Sequence, residues 1–222
     1  MGKFGAMFGQ YRTMDDLPRV IPVFPLTGAM LLPRARMPLN IFEPRYLAMV
    51  DDAMRGDRLI GMIQPRSAGT KPDLHEIGCA GRITSWSETG DGRFLITLTG
   101  VCRFKVADEL VALTLYRKVL PDWSAFAHDL EPDESRLEDE RERLVTGLRT
   151  YLARRKLEAD WDSISRAPAE TLVHSLAMIC PFAPEEKQAI LEAATLGERA
   201  RALIAVIELA LADDRAGQVP VQ

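Results

Sequence analysis

The residue types best able to do chemistry here are three histidines and three cysteines, and their spacing matches no catalytic or metal-binding pattern. His75, His128 and His174 fall in a predicted loop, a linker and a helix. A Cys–His pair such as His174 with Cys180 is six residues apart, so on one helix the two side chains point apart. The sequence therefore predicts no catalytic residue and no metal site.

Motifs that bind cofactors or activate nucleophiles are equally absent from the sequence. It contains no Gly-x-x-x-x-Gly-Lys-Ser/Thr segment to hold nucleotide phosphates and no Gly-x-Ser-x-Gly turn. The acidic run Glu138-Asp139-Glu140 lies on the polar side of a predicted helix, where a solvated face is expected. We therefore expect a protein that is not an enzyme and needs no cofactor.

The clearest structural pattern is a strand with one apolar face, between residues 93 and 106. Its even positions are apolar except for Gly100, and its odd positions are mostly polar, including Arg103. Gly90-Asp91 is a plausible two-residue turn to a preceding strand. Pairing around that turn sets Ile83 opposite Leu98 and Cys79 opposite Cys102. The apolar face comprises Phe94, Ile96, Leu98, Cys102, Phe104 and Val106.

Two interpretations of Cys79 and Cys102 follow from that register. One is a redox-switchable disulfide, although directly opposed Cβ atoms are about 4.5–5.5 Å apart, at or beyond the relaxed disulfide distance. The other is a pair of buried thiols that pack as small hydrophobic groups. An odd cysteine count also argues against a secreted disulfide scaffold.

Composition and charge indicate a globular protein in two parts. Of 222 residues, 47% are hydrophobic and 27% are charged, and no apolar run is long enough to span a bilayer. Residues 1–121 hold sixteen basic and twelve acidic side chains, whereas residues 122–222 hold twelve and twenty. The second part is therefore strongly acidic, and the total charge of −4 argues against a nucleic-acid footprint.

The order of elements predicts the α+β class. Strands over Val20–Leu26, Leu39–Phe42 and Leu59–Gln64, a helix over Pro44–Arg55, and a last strand over Leu113–Leu120 precede four helices. Residues 157–166 are predicted to be a connection. The predicted divisions are an N-terminal extension (1–18), a β lobe (19–121), a helical lobe (122–213) and a flexible tail (214–222).

Several ordered motifs resemble one known family. These are Ile21-Pro22-Val23-Phe24-Pro25-Leu26, Leu31-Leu32-Pro33, Met37-Pro38-Leu39, Ile41-Phe42-Glu43-Pro44-Arg45-Tyr46, Glu76-Ile77-Gly78-Cys79-Ala80-Gly81-Arg82-Ile83, Gly100-Val101-Cys102-Arg103-Phe104 and Pro184-Glu185-Glu186-Lys187-Gln188. Together they resemble the N-terminal domain of Lon proteases over about residues 19–212. Arg34 stands where the family usually has glycine, which leaves the conformation of that loop open.

The resemblance implies a curled, PUA-like antiparallel β pseudo-barrel with one helix, followed by a helical bundle. It also implies a non-catalytic module that binds unfolded or extended polypeptides, because the ATPase and peptidase of Lon proteases lie outside this domain. A separate ATPase or protease is a further candidate partner. We expect a cytoplasmic location and no membrane association.

The candidate polypeptide-binding residues lie in and beside one apolar loop with flanking arginines. Flexible methionine and aromatic groups suit loosely specified apolar peptides. The set is Met30, Leu31, Leu32, Arg34, Arg36, Phe42, Tyr46 and Met49. The alternative is that Leu32, Phe42 and Tyr46 only join the two lobes. A different function, RNA binding, is permitted by the PUA-like fold and the basic first half, but no basic run with interleaved aromatics supports it.

Overall fold

This computed structural model describes residues 11–69 and 71–216, and the chain forms two compact units that divide between Pro132 and Asp133. We call them the β unit and the helical unit. The division falls after the predicted boundary at residue 121, because a 3₁₀ segment, Ser124–Leu130, packs on the sheet. The α+β class predicted from the order of elements is confirmed.

Where the structure describes it, the β unit is one six-stranded sheet with a single α-helix. Its strands are β1 (Ile21–Pro25), β2 (Arg36–Ile41), β3 (Leu59–Ile63), β4 (Ile77–Glu88), β5 (Phe94–Leu110) and β6 (Arg117–Asp122), and its helix is α1 (Pro44–Arg55). Pro44 suits the first turn of α1 and Gly56 follows its end, so local signals place both limits of this helix as predicted.

The strand order is β2-β5-β4-β3-β1-β6, and a further pairing of β5 with β6 closes the sheet. All pairings are antiparallel except β1 with β3. The 17-residue β5 makes closure possible, because β2 pairs with Phe94–Thr99 and β6 pairs with Lys105–Leu110. Among the described residues β2 is consequently the strand with one neighbour.

The described part of the helical unit contains five helices, and the last of them packs against three of the others. The five helices are α2 (Glu138–Arg155), α3 (Trp161–Arg166), α4 (Ala169–Ile179), α5 (Pro184–Glu192) and α6 (Leu196–Ala216). Leu144, Leu148 and Tyr151 of α2 are buried on one helical face. The predicted connection over residues 157–166 is wrong in part, because Asp160 caps α3 by accepting a hydrogen bond from the Ser163 amide.

The two ends of the chain also differ from the prediction. Tyr11 and Leu17 are buried in the core of the β unit, and the Tyr11 hydroxyl donates to the Asp57 carbonyl at 2.7 Å. The predicted extension is therefore packed where it is described, and residues 1–10 lie outside the described residues. Helix α6 continues to Ala216, into the predicted tail, of which residues 217–222 are likewise outside.

The turn between β4 and β5 is longer than predicted. The Thr89 amide donates to the Arg93 carbonyl at 2.8 Å, and Gly92 has φ 77°. The loop thus contains Gly90 to Gly92 with a left-handed last residue, which is the usual three-residue hairpin. A bulge at Thr84 offsets the added residue, so the predicted pairing of Ile83 with Leu98 is confirmed.

The predicted pairing of Cys79 with Cys102 is wrong by one residue. A second bulge inserts Val101, so that Cys79 pairs with Arg103 and Ala80 pairs with Cys102. Because neighbouring residues of a strand point to opposite faces, the two thiols lie on opposite sides of the sheet. Both thiols are buried, and neither forms a disulfide. The same is true of Cys180 in the helical unit.

This placement predicts slow thiol chemistry in the folded protein. Burial raises the pKa of Cys180 to about 11 and raises that of Cys102 further, so little thiolate forms at pH 8. We expect an aromatic disulfide reagent to label all three thiols slowly in buffer and at once in denaturant. Rapid labelling of the native protein, or a Cys79–Cys102 crosslink after mild oxidation, would contradict this register.

Candidate polypeptide-binding surface

The loop that precedes β2 lies directly on β5 at Gly100. The Arg34 amide donates to the Gly100 carbonyl at 2.8 Å, and the Gly100 amide donates to the Ala35 carbonyl at 2.9 Å. A Cβ atom at Gly100 would lie 2.0 Å from the Leu32 carbonyl oxygen. Glycine is therefore required here because the loop backbone occupies the space of a side chain.

The apolar residues predicted to bind polypeptide are in the interior of the β unit. Met30, Leu31 and Leu32 are 2%, 1% and 0% exposed. Tyr46 and Met49 of α1 are also buried, and the ring of Tyr46 lies 4.1 Å from that of Phe24. These five residues are therefore not accessible to a polypeptide in this conformation.

The charged members of the predicted set have different positions. Arg34 is half-buried, and its guanidinium donates to the Asp129 carbonyl. Its φ of 63° is the left-handed conformation that glycine adopts without strain, which answers the question left open about this loop. Arg36 is exposed on β2.

A buried ion pair joins β5 to the 3₁₀ segment. Arg103 is 0% exposed, and its Nε and Nη2 donate to the two carboxylate oxygens of Asp129 at 2.8 and 2.9 Å. The Arg103 amide donates to the same carboxylate at 3.0 Å, and its guanidinium lies 4.4 Å from the centre of the Phe126 ring. His128 Nε2 is 3.2 Å from Arg103 Nη2. This cluster fixes the 3₁₀ segment against β5.

The alternation of β5 placed Arg103 on a solvated face, and this prediction is wrong. Strand periodicity describes the sheet alone, whereas the covering segment comes from later in the chain. The resemblance of residues 100–104 to a Gly-x-x-Arg-Phe motif could have indicated this cluster. An arginine that belongs to such a motif and lies between buried neighbours requires an acidic partner.

Two of the exposed apolar side chains of the β unit lie beside β2. Phe42 is 60% exposed and Leu95 is 46% exposed. Leu95 pairs with Asn40, and the Arg93 guanidinium lies 5.8 Å from the centre of the Phe42 ring. We call Phe42, Arg93 and Leu95 the Phe42 patch. It offers an apolar surface with a cation at its margin.

A second apolar feature is the loop between β5 and β6. The alternation of this segment predicted the start of a strand, but β6 begins at Arg117 and the loop projects into solvent. Val111, Leu113 and Leu115 are 107%, 108% and 70% exposed. Three unpacked aliphatic side chains in one loop form an unusual surface for a folded protein.

Potential metal ligands are scattered in the described chain, and ionisable groups line one cleft of the β unit. Groups of three or more potential metal ligands are absent from residues 11–69 and 71–216. In a cleft of about 290 Å³, the Tyr116 hydroxyl donates to Asp52 at 2.8 Å, and burial raises the pKa of Tyr116 to about 12, so it is protonated at neutral pH. Helices long and apolar enough to cross a membrane are also not found in the described chain.

The close approach at Gly100 predicts a large effect of one methyl group. Gly100→Ala should lower the free energy of unfolding by about 3 kcal/mol, because the Leu32 carbonyl is backbone and cannot rotate away. Gly90→Ala is the matched control, since its Cβ would meet nothing within 4 Å. Urea unfolding followed by tryptophan fluorescence measures both. Equal urea midpoints for the two variants would contradict the close contact between the Leu32 carbonyl and Gly100.

The buried ion pair predicts that removing one charge destabilises the protein more than removing both. Asp129→Asn should cost about 3–5 kcal/mol, because the Arg103 charge stays buried without its counterion. Adding Arg103→Met removes that charge, while the oxygen of the new carboxamide can still accept a hydrogen bond from the backbone N–H of residue 103. The double variant should therefore recover part of the loss. Glu76→Gln, in an exposed pair with Lys105, should change little. If the double variant were less stable than Asp129→Asn, the unpaired charge of Arg103 would not be the cause of the destabilisation.

Comparisons of sequence and of fold with known proteins both indicate similarity to Lon proteases. The family model for the ATP-dependent protease La (LON) substrate-binding domain matches residues 20–208. Lon protease 2 of Myxococcus xanthus is 27% identical over 205 residues, which are 87% of this chain and 24% of that protein. Lon protease of Anaeromyxobacter dehalogenans is 30% identical over 108 residues, or 47% of this chain and 13% of that protein.

Two solved structures share the fold. A Lon N-terminal domain protein from Xanthomonas campestris has a TM-score of 0.61 at 25% identity, covering 84% of this chain and 97% of that one. The N-terminal domain of a Mycobacterium avium complex Lon protease has a TM-score of 0.63 at 16% identity, covering 85% and 98%.

This chain spans about a quarter of the length of the curated relatives that match it along most of its sequence. The match lies in the substrate-binding part of those proteases, not in the parts that carry ATP hydrolysis or peptide cleavage. The chain belongs to the family of ATP-dependent protease La (LON) substrate-binding domains.

Proposed function

We propose that this chain binds unfolded or extended polypeptides at the Phe42 patch of its β unit. Family membership supports the class of ligand, because the matching model describes a substrate-binding domain. The observation that carries the location is the exposure of Phe42 and Leu95 beside a strand with an open edge. Folded clients bury most of their apolar groups, so such a patch favours unfolded chains.

The patch revises the binding site predicted from the sequence. Of the predicted residues, Phe42 is exposed and belongs to the proposed surface, whereas Arg36 is exposed at the other end of β2, opposite Thr99. The other predicted residues are buried or half-buried in the β unit and are not part of the proposed surface. Arg93 beside the Phe42 ring adds a cation for acidic groups of the client.

A separate ATPase or protease is proposed as the next partner of a bound client. The relatives named Lon protease extend well beyond the region matched here, so delivery of a held polypeptide to such an enzyme is consistent with the family. A cytoplasmic location is part of the same proposal.

The binding proposal predicts that Phe42→Ser weakens affinity for an unfolded protein about tenfold. Losing one well-buried apolar contact corresponds to roughly 1.5–3 kcal/mol, and partial exposure reduces this value. Fluorescence anisotropy with labelled, reduced and carboxymethylated lactalbumin measures the dissociation constant. Circular dichroism verifies that each variant is folded.

Ile179→Ser is the matched control, because Ile179 is an exposed aliphatic residue of the helical unit. It should bind as the wild type does. Leu113→Ser tests the β5–β6 loop in the same titration. Equal affinity of the wild type and Phe42→Ser would remove the Phe42 patch from the site, and absence of binding by the wild type would refute the function.

A further inference from the structure

We infer that the open edge of β2 binds an extended client segment by β-strand addition. This inference rests on the proposed function and specifies how the client is held. Strand β2 pairs with β5 on one side, and among the described residues no strand pairs with its other side. The edge adjoins the Phe42 patch, because β2 ends at Ile41.

The position of Pro38 determines which backbone groups face the open edge. Pro38 of β2 is opposite Thr97 of β5 but has no N–H, so Pro38 and Thr97 cannot be a hydrogen-bonded pair of the ladder. In an antiparallel ladder, hydrogen-bonded pairs alternate with pairs that are not hydrogen-bonded. The Gly100 amide donates to the carbonyl of Ala35, an odd-numbered residue, which agrees with Pro38 being in a pair that is not hydrogen-bonded. The odd residues of β2 therefore bond to β5, and the even residues present their backbone groups outward.

The outward groups define the chemistry of the partner. Arg36 and Asn40 offer an N–H and a carbonyl each, and Pro38 offers a carbonyl alone. Alternating donors and acceptors along one line are complementary to an extended polypeptide backbone, whatever its side chains are. An edge of this kind therefore fits clients of many sequences, which is the property required of a module for unfolded chains.

Side chains beside the edge are only partly covered. Met37 and Leu39 are half-buried, although both lie next to fully buried neighbours across β5, Leu98 and Ile96. An added strand would cover them from the open side on one face. On the other face its alternate side chains would meet Leu95 and the ring of Phe42.

Pro38 limits how strongly this edge pairs. A proline on an edge strand removes one donor and discourages pairing between copies of the same protein. The remaining two donors allow a short and reversible addition. Such an edge can hold a client without becoming a template for aggregation.

The test uses the intact chain and two substitutions at one position. Asn40→Pro removes the outward N–H and keeps the bonds to β5, whereas Asn40→Thr changes the side chain and keeps the N–H. The probe is a short peptide of alternating threonine and valine flanked by lysines. We expect about fivefold weaker binding by Asn40→Pro than by Asn40→Thr, because only the first variant lacks the outward N–H. A peptide N-methylated at alternate residues should not bind.

Amide hydrogen exchange of the wild type decides the question if Asn40→Pro does not fold. At saturating peptide the amides of Arg36 and Asn40 should become protected, while those of Met37 and Leu39 are already protected by β5. Unprotected amides at 36 and 40, with lactalbumin binding still weakened by Phe42→Ser, would overturn strand addition and leave the proposed function standing. Binding of neither probe by the wild type would refute both.

Discussion

The approach of a loop backbone to Gly100 is the constraint on which the β unit depends. The Leu32 carbonyl occupies the position of a side chain there, and two backbone hydrogen bonds connect the loop to β5 on either side of it. Three residues later Arg103 binds Asp129 and fastens the 3₁₀ segment to the same strand. One short stretch of β5 therefore carries both the loop and the 3₁₀ segment.

The bulge at Val101 connects these two roles. Without the inserted residue, Cys102 and Arg103 would exchange faces, and the arginine would point into the apolar interior of the β unit. With it, Cys102 joins the core and Arg103 meets Asp129 beneath the covering segment. The bulge also bends β5, so that its first half pairs with β2 and its second half with β6. The open edge of β2 is a consequence of this division.

Local signals in the sequence were enough to predict some of these elements. Pro44 and Gly56 fixed both ends of α1, and the apolar alternation around Leu98 identified β5 and its main partner. The predicted pairing at Ile83 is correct because two irregularities, the longer turn and the bulge at Thr84, offset each other. Bulges insert residues without changing the apolar alternation on either side, so periodicity alone cannot reveal them.

Burial was harder to predict than secondary structure, because it depends on segments distant in the chain. Met30 to Leu32 and Val111 to Leu115 are both apolar loops, yet the first is interior and the second is exposed. The difference is that Gly100 admits the first loop onto β5, whereas the described residues place nothing over the second. Likewise, Arg103 is buried because residues 124–130 return to cover it. The candidate site moved accordingly from the loop to Phe42, whose exposure no sequence pattern indicated.

The small size of the exposed patch has consequences for how clients are selected. Burying Phe42 and Leu95 would contribute a few kcal/mol, and association itself costs several, so one contact of this kind gives weak binding, micromolar or weaker. Weak contacts accumulate when one client offers several segments within reach. An edge that reads backbone adds a further requirement, since the client segment must be extended and its own hydrogen-bonding groups unpaired. Most segments of folded proteins meet neither condition, whereas long unfolded chains meet both, so the proposed mode of binding distinguishes clients by their folded state and not by their sequence.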